Sequence, residues 1–201
     1  MSLKINFSKF AMQQLKYFFS DPNFYLCFFT DSKKIDIIKI ILNLPKKTLV
    51  IFREYDLSFQ NRLKLAQEIQ IICQKRDLKL IIGKDINLAK EISADGVHFS
   101  DHDNFLDDYK KIKDNFFTSC SFHSKESILK YKNLDLDLRF LSPIFTTTSH
   151  KYQKPLGIEY LKELTEEYKI KICPLGGINT KNITELQNLN ISGIAGIDFF
   201  K

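Results

Sequence analysis

The stretch Ser142-Pro-Ile-Phe-Thr-Thr-Thr-Ser-His-Lys-Tyr-Gln-Lys-Pro-Leu-Gly157 joins an apolar run, Leu138 to Phe145, to a helical pattern, Ile158 to Tyr168. A strand-like run that passes through hydroxyls and cations into a helix is typical of an active-site loop. Hydroxyl groups donate hydrogen bonds to phosphate oxygens, and ammonium groups add positive charge. The stretch therefore indicates a phosphate-binding loop, although an ordinary solvated loop has the same composition.

The same alternation of strand and helix runs along the whole chain on both sides of this stretch. Short apolar strands are predicted at residues 24–30, 49–54, 78–82, 96–100, 116–120, 138–145, 170–175 and 191–197. Helical patterns follow the first seven of them, at residues 33–42, 58–75, 86–92, 104–112, 124–131, 158–168 and 180–189. Strands joined by helices form parallel βαβ units, and eight such units close into a (β/α)8 TIM barrel. A doubly wound sheet is the alternative, but eight evenly spaced short strands favour the barrel.

The two ends of the chain depart from a full barrel of this kind. The sequence stops at Lys201, directly after the eighth strand, so we expect a short form that lacks the last outer helix. Residues 7–19 are predicted to form an extra N-terminal helix with one apolar face. We expect this helix, or the second subunit of a homodimer, to cover Phe199 and Phe200 at the open seam.

Composition is that of an ordinary globular protein. With 201 residues, 44% hydrophobic and 27% charged, the chain is expected to form one barrel domain over residues 1–201. The net charge is +6, but the lysines are spread out and no nucleic-acid motif is present, which argues against nucleic acid as a partner. The four cysteines are well separated, and neither a signal peptide nor a membrane-spanning run is found, so we expect a cytoplasmic protein with reduced thiols.

In a barrel of this class the active site lies at the carboxyl ends of the strands. The residues that follow the predicted strands include Arg53, Lys84, several hydroxyls and the pair Gly176-Gly177. Cations, hydroxyls and glycine amides together suit a phosphorylated small molecule. Asp103, after the fourth strand, offers the hard oxygen ligands that Mg²⁺ prefers.

All four histidines lie near these strand ends, and each has an ordinary interpretation beside a chemical one. His98 lies inside an apolar strand, so we expect it to be structural. Its spacing from His102 would suggest zinc on a helix, but the pair lies at a strand end. His123 and His150 suit acid–base chemistry near neutral pH, or they are surface residues.

Five segments occur in the order in which one known family carries its motifs. They are Arg53-Glu54, Ala94-Asp-Gly-Val-His-Phe-Ser-Asp-His-Asp103, Pro143-Ile-Phe-Thr-Thr-Thr-Ser-His150 with Pro155-Leu-Gly157, Leu175-Gly-Gly-Ile178, and Gly193-Ile-Ala195. They resemble R-E-K, A-D-G-V-H-L-G-Q-x-D, G-P-[IV]-F-x-T-x-T-K with P-x-G, I-G-G-I and G-V-A of the thiamine-phosphate synthases and their TenI-like relatives, the thiazole tautomerases. The resemblance spans residues 24–198.

This resemblance implies a transferase of thiamine biosynthesis. The family's synthase joins a hydroxymethylpyrimidine pyrophosphate to a thiazole phosphate and releases pyrophosphate with the assistance of Mg²⁺. On this basis we assign catalytic roles to Arg53, Ser121 and His150, and a metal-binding role to Asp103. Substrate-binding or phosphate-binding roles are assigned to Thr147, Ser149, Lys151, Gly176, Gly177 and Lys84.

Several positions depart from the family pattern. Ile51 stands in place of a glutamine of the family, and Tyr55 in place of a lysine. Gly83 and Lys84 replace an asparagine and a metal-binding aspartate. His150 replaces the loop lysine, and Asp198 replaces a serine. These changes weaken the expected Mg²⁺ site, although Lys84 offers a positive charge where the metal ion would lie. They leave open a divergent member with altered or lost catalysis, tautomerase-like or non-catalytic, that binds a phosphorylated or heteroaromatic small molecule. Pro143 stands where the tautomerases carry a histidine, and a purely structural or interaction protein is a third hypothesis.

Overall fold

The computed structural model describes Leu15, Phe18, Asp21, residues 23–147 and residues 153–200. Its strands are β1 (Tyr25–Phe29), β2 (Leu49–Phe52), β3 (Lys79–Gly83), β4 (Gly96–Ser100), β5 (Phe117–Phe122), β6 (Leu138–Leu141), β7 (Cys173–Pro174) and β8 (Gly193–Gly196). Helices α1 to α6 follow the first six strands, at Ile37–Ile41, Phe59–Arg76, Ile86–Glu91, Leu106–Ile112, Lys125–Lys130 and Ile158–Lys162. The remaining helical segments are a π-helical turn at Glu163–Glu167 and 3₁₀ turns at Ile183–Leu186 and Asp198–Phe200.

The strands form a closed barrel, as the sequence predicts. Every pair is parallel, each of β1 to β7 lies beside its neighbour in sequence, and β8 returns to pair with β1. An isolated parallel bridge between Leu175 and Ala195 joins the β7 side to β8. Because β8 contacts strands on both of its sides, the doubly wound alternative is wrong.

Most strand residues are buried on both faces of the sheet, and most of them are apolar. One face fills the barrel interior, where Phe29, Ile51, Ile81 and Phe140 belong to one buried cluster. The other face packs under the helices in a second, larger cluster that includes Phe28. Alternate residues of one strand, Phe28 and Phe29, therefore belong to different cores.

The first turns of several helices are fixed by local side-chain caps. Asp36, Ser58, Asp85 and Ser124 each accept a hydrogen bond from a backbone N–H in the first turn of α1, α2, α3 and α5. Such caps satisfy amide groups that have no partner inside the helix. The longest described helix, α2, ends at Arg76. Its C-cap residue, Asp77, adopts a left-handed conformation with φ 59°.

Regular structure is shorter than predicted in the last third of the barrel. The strand expected at 170–175 is reduced to Cys173–Pro174, although the N–H of Leu175 still donates to the Leu141 carbonyl at 3.0 Å. The helix expected at 180–189 is only a 3₁₀ turn. The helix expected at 158–168 changes to π-helical geometry after Lys162, where Thr165 Oγ1 donates to the Leu161 carbonyl at 3.0 Å.

Both ends of the chain contribute to the larger core. Of the N-terminal helix expected at 7–19, only Leu15 and Phe18 lie within the described residues, and both are buried in the cluster that contains Phe199 and Phe200. The ring of Phe200 meets that of Phe28 edge to face at 5.3 Å. A homodimer and a single domain over 1–201 stay predictions. Among the described residues, no helix is long and apolar enough to cross a membrane.

We predict that Phe200→Ala lowers the free energy of unfolding by about 3–5 kcal/mol, because it removes a buried aromatic ring from a packed core. Urea denaturation followed by circular dichroism measures this change. Phe59→Ala is the matched control, since that ring is 59% exposed and its removal should have little effect. Equal stabilities of the two variants would show that the C-terminal turn does not contribute to the core.

Candidate active site

A cavity of about 300 Å³ lies at the carboxyl ends of the strands, at the lower end of the range for small-molecule sites. Residues from all eight strands or from the loops that follow them line it. They are Phe29, Arg53, Tyr55, Lys84, His98, Ser100, His102, Ser121, His123, Ser142, Thr147, Gln153, Leu175, Gly176, Gly177, Ile178, Gly196, Ile197 and Asp198.

The floor of the cavity is an aromatic layer that encloses one imidazole. His98 meets the rings of Phe29 and Phe140 edge to face, each at 5.4 Å between centroids. Its two nitrogens are hydrogen-bonded to hydroxyls of the neighbouring strand, Nδ1 to Ser119 Oγ at 2.9 Å and Nε2 to Ser121 Oγ at 3.0 Å. Because Ser121 also lines the cavity, the imidazole determines where that hydroxyl lies.

Burial lowers the pKa of His98 to about 3, and the positive charges of Arg53 and Lys84 act in the same direction. The imidazole is therefore neutral, with one nitrogen donating a hydrogen bond and the other accepting one. A neutral, fully hydrogen-bonded histidine in the barrel core agrees with the structural role predicted from the sequence.

Arg53 is the cation best placed to bind an anion. Its guanidinium carbon lies 5.0 Å from the centroid of the Phe29 ring, and its backbone N–H donates to Thr30 Oγ1 at 3.0 Å. Burial lowers its pKa, but a guanidinium stays charged. Its buried Nε has no hydrogen-bond partner in the described part of the chain. Among the described residues, the buried Nε atoms of Arg62 and Arg139 also lack a partner, so it is the position of Arg53 on the cavity wall that makes it a candidate anion-binding group.

Lys84 is the second cation of the cavity, and it is paired with a carboxylate. Its Nζ lies 2.7 Å from Asp103 Oδ2, and both side chains are about two-fifths exposed, at 41% and 43%. The ammonium also lies 5.6 Å from the centroid of the Tyr55 ring. The residue has a left-handed backbone, with φ 60°. Asp103, the predicted metal ligand, is therefore engaged by an ammonium group.

Gly176 and Gly177 present backbone donors at the mouth. Their φ angles are 91° and 72°, and a Cβ on Gly177 would lie 2.4 Å from the Thr146 carbonyl oxygen. Only glycine tolerates this approach. Within the described residues, neither glycine N–H donates a hydrogen bond. The carbonyl of Gly177 accepts from the amides of Asn179 and Asn182, at 3.0 and 2.9 Å.

Asp101, His102 and His123 form a group whose possible ligand atoms lie within 4.8 Å of one another. Asp101 accepts hydrogen bonds from His123 Nδ1 at 2.7 Å and Ser127 Oγ at 2.6 Å. Burial of Asp101 opposes ionisation, but these bonds outweigh it and lower its pKa to about 2. Two imidazoles and one carboxylate suit zinc better than Mg²⁺, which prefers an all-oxygen set. With Asp103 bound to Lys84, the described residues do not fit a Mg²⁺ site.

Most of the side chains predicted from sequence converge at this mouth. Six of the predicted residues line the cavity: Arg53, Lys84, Ser121, Thr147, Gly176 and Gly177. Asp103 lies beside it, joined through Lys84. The predicted residues Ser149, His150 and Lys151 lie outside the described residues.

Sequence reasoning missed several contributors to the cavity, among them Phe29 and Gln153. Phe29, which supports Arg53, is the last residue of β1, whereas the predicted strand ran to residue 30 and placed the site after it, at Asp31. Asp31 instead forms an ion pair with Lys34 at 3.0 Å. A strand end one or two residues earlier would have pointed to Phe29. Gln153 lies in the loop after β6, within the stretch predicted to bind phosphate, but the sequence did not single out this residue.

Fold and cavity together define a (β/α)8-barrel protein with a cationic small-molecule site at the carboxyl ends of its strands. The family model described as thiamine monophosphate synthase matches residues 26–199. The chain is 34% identical over 175 residues to a protein of Aquifex aeolicus with the provisional name thiamine-phosphate synthase 2, covering 85% of this chain and 94% of that protein. It is 32% identical over 151 residues to the thiamine-phosphate synthase of Clostridium tetani, covering 75% and 72%.

A solved structure agrees with this relationship. The thiamine phosphate pyrophosphorylase of Pyrococcus furiosus superposes with a TM-score of 0.74 at 22% identity, covering 87% of this chain and 86% of that one. At this identity the superposition shows the fold. The chain belongs to the thiamine-phosphate synthase family. These relatives do not favour the alternative of a divergent member with altered or lost catalysis.

We predict that stability falls as pH drops below about 6.5, because the unfolded chain then protonates His98 while the folded chain, with a pKa of about 3, does not. The slope from this group approaches about 1.4 kcal/mol per pH unit until pH nears the folded value. His98→Asn should be less stable at pH 7 but should lose less stability between pH 6.5 and 4.5. Urea denaturation at several pH values measures both.

The control for this prediction is His102→Asn, because that imidazole is 70% exposed. It should keep the wild-type dependence of stability on pH. If His98→Asn also kept the wild-type slope, His98 would not be the neutral, buried group described here.

Proposed function

We propose that this chain catalyses the synthase reaction of its family, in which a hydroxymethylpyrimidine pyrophosphate and a thiazole phosphate are joined. The observation that carries the proposal is the position of Arg53, whose half-buried side chain lines the cavity and whose buried Nε lacks a partner among the described residues. A pyrophosphate supplies the oxygens such a guanidinium needs. Curated relatives named as thiamine-phosphate synthases support this assignment.

The reaction breaks one bond and forms another. The C–O bond between the pyrimidine methylene group and pyrophosphate breaks, and its electron pair leaves on the pyrophosphate oxygen. The lone pair of the thiazole nitrogen forms the new C–N bond, so the ring becomes a cation and no proton is transferred. The site must therefore stabilise negative charge on the leaving group, and it needs no general base for this step.

The described side chains suit the two halves of this reaction. We assign Arg53 and Lys84 to the pyrophosphate, since both are cations of the cavity wall. Ser121, oriented by His98, is assigned to the pyrimidine or the pyrophosphate. The apolar side chains of Phe29, Leu175, Ile178 and Ile197 offer contact area to the heteroaromatic rings.

A second anion subsite is assigned to the loops after β6 and β7. Thr147 and the backbone amides of Gly176 and Gly177 line the cavity there, and they suit the thiazole phosphate. Ser149, His150 and Lys151 belong to the same loop by sequence and are proposed to act at this end of the site. Asp198 also lines the cavity and disfavours a phosphate close to it, because like charges repel.

The family is usually Mg²⁺-dependent, and by resemblance the metal would assist the departure of pyrophosphate. Asp103 was assigned to that ion from the sequence. Because this carboxylate is bound by Lys84, we assign stabilisation of the leaving group to Arg53 and Lys84.

We predict that Arg53→Ala lowers kcat/KM for thiamine phosphate formation by about 100-fold, because it removes a charge aimed at the leaving group. Arg53→Lys should recover only part of the loss, since an ammonium cannot reproduce the planar fork of a guanidinium. Formation of the product from the two purified substrates, followed by chromatography, measures the rates.

Lys64→Ala is the matched control for charge, because Lys64 is an exposed cation on α2. It should leave kcat/KM unchanged. Arg53→Ala activity within threefold of this control would remove Arg53 from the site, and a wild-type chain that forms no thiamine phosphate would contradict the proposed function itself.

A further inference from the structure

The ion pair between Lys84 and Asp103 occupies the position at which a metal-dependent site would need a free carboxylate. Lys84 follows β3 and Asp103 follows β4, so the pair joins two adjacent loops at the mouth. Mg²⁺ is held by carboxylates together with the phosphates of its substrate. A metal ion at Asp103 would have to displace the ammonium from 2.7 Å.

The ammonium is held in place by more than its ion pair. The backbone N–H of Lys84 donates to the His98 carbonyl at 2.8 Å, which continues the ladder between β3 and β4. Tyr55 lies in the loop after β2, and the ammonium lies over the face of its ring, 5.6 Å from the centroid. The backbone bond fixes where the side chain starts, and the carboxylate and the aromatic face orient the ammonium, which lowers the entropy cost of binding a ligand.

A lysine held in this way can replace a bridging cation chemically. Its ammonium has three N–H donors and no acceptor, and one of these donors points to Asp103 Oδ2. The other donors can reach phosphate oxygens in the cavity that Lys84 lines. The Lys84 ammonium then lies between the Asp103 carboxylate and the phosphate, as a metal ion would. Hydrogen bonds take the place of coordinate bonds.

We propose that Lys84, anchored by Asp103, supplies the positive charge of the pyrophosphate subsite, so that this chain binds pyrophosphate without a divalent metal ion. The inference rests on the proposed function, because it concerns the same cavity and the same leaving group. Arg53 lines that cavity as well and supplies the second charge.

Isothermal titration of the full chain with sodium pyrophosphate, in EDTA and in excess Mg²⁺, tests the proposal. We expect the wild-type affinity in EDTA to equal or exceed that in Mg²⁺. Lys84→Gln, which keeps a hydrogen-bond donor on a slightly shorter side chain and removes the charge, should weaken binding in EDTA at least tenfold. Lys64→Gln on α2 is the control and should bind as the wild type does.

Lys84→Asp provides the converse test. It places a second carboxylate beside Asp103, so binding in EDTA should be lost and should return when Mg²⁺ is added. Because Lys84 is 41% exposed, these variants are expected to fold, and thermal melting checks that they do.

Two results would overturn the inference while leaving the proposed function intact. One is wild-type binding that requires Mg²⁺, since the ion pair of Lys84 and Asp103 would then not supply the charge by itself. The other is Lys84→Gln binding in EDTA with wild-type affinity. Failure of the wild type to bind pyrophosphate under either condition would instead contradict the anion site on which the proposed function depends.

Discussion

The neutral imidazole of His98 is the interaction on which the cavity depends. It lies among Phe29 and Phe140 in the barrel core, where a polar ring is tolerated only if both nitrogens have partners. The pairing of β4 with β5 provides them: Ser119 lies directly opposite His98, and Ser121 follows two residues later on the same face. A slip of one residue in this register would leave the imidazole unsatisfied and would turn Ser121 away from the cavity.

Three of the departures from the family pattern form a single structural change. A Cβ on Gly83 would lie 2.3 Å from the hydroxyl of Tyr55 and 2.9 Å from the Phe52 carbonyl oxygen, so a larger residue at position 83 would force Tyr55 out of its present place. Arg62 of α2 fixes the same loop, since its guanidinium donates to the Gly83 carbonyl at 2.8 Å and to Asp85 Oδ2 at 2.7 Å. The ring of Tyr55 then supports Lys84. Tyr55 replaces a family lysine and Lys84 replaces a metal-binding carboxylate, so the two changes together place one ammonium group on the loop after β3.

The fold could be predicted from sequence wherever hydrophobic periodicity dominates. The predicted bounds of β4, Gly96–Ser100, are those observed, because an apolar run between clear turn residues has few alternatives. The prediction was wrong after β7 because local side chains compete with the helix. Asn182 Oδ1 accepts from the N–H of Asn179, and Asn179 Oδ1 accepts from that of Lys181. These bonds offer the backbone a turn in place of helical hydrogen bonds, and a 3₁₀ turn results.

The candidate site could be predicted only in part, for a reason that follows from barrel geometry. Position at a strand end depends on chain order alone, so Arg53, Ser121 and Thr147 could be placed at one mouth without a structure. The partner that each residue takes there is set by contacts between different loops. Lys84, which pairs with Asp103, has a left-handed backbone. A lysine in the sequence does not predict this conformation. The same aspartate that suggests Mg²⁺ in isolation is, beside that lysine, the anchor of an ammonium group.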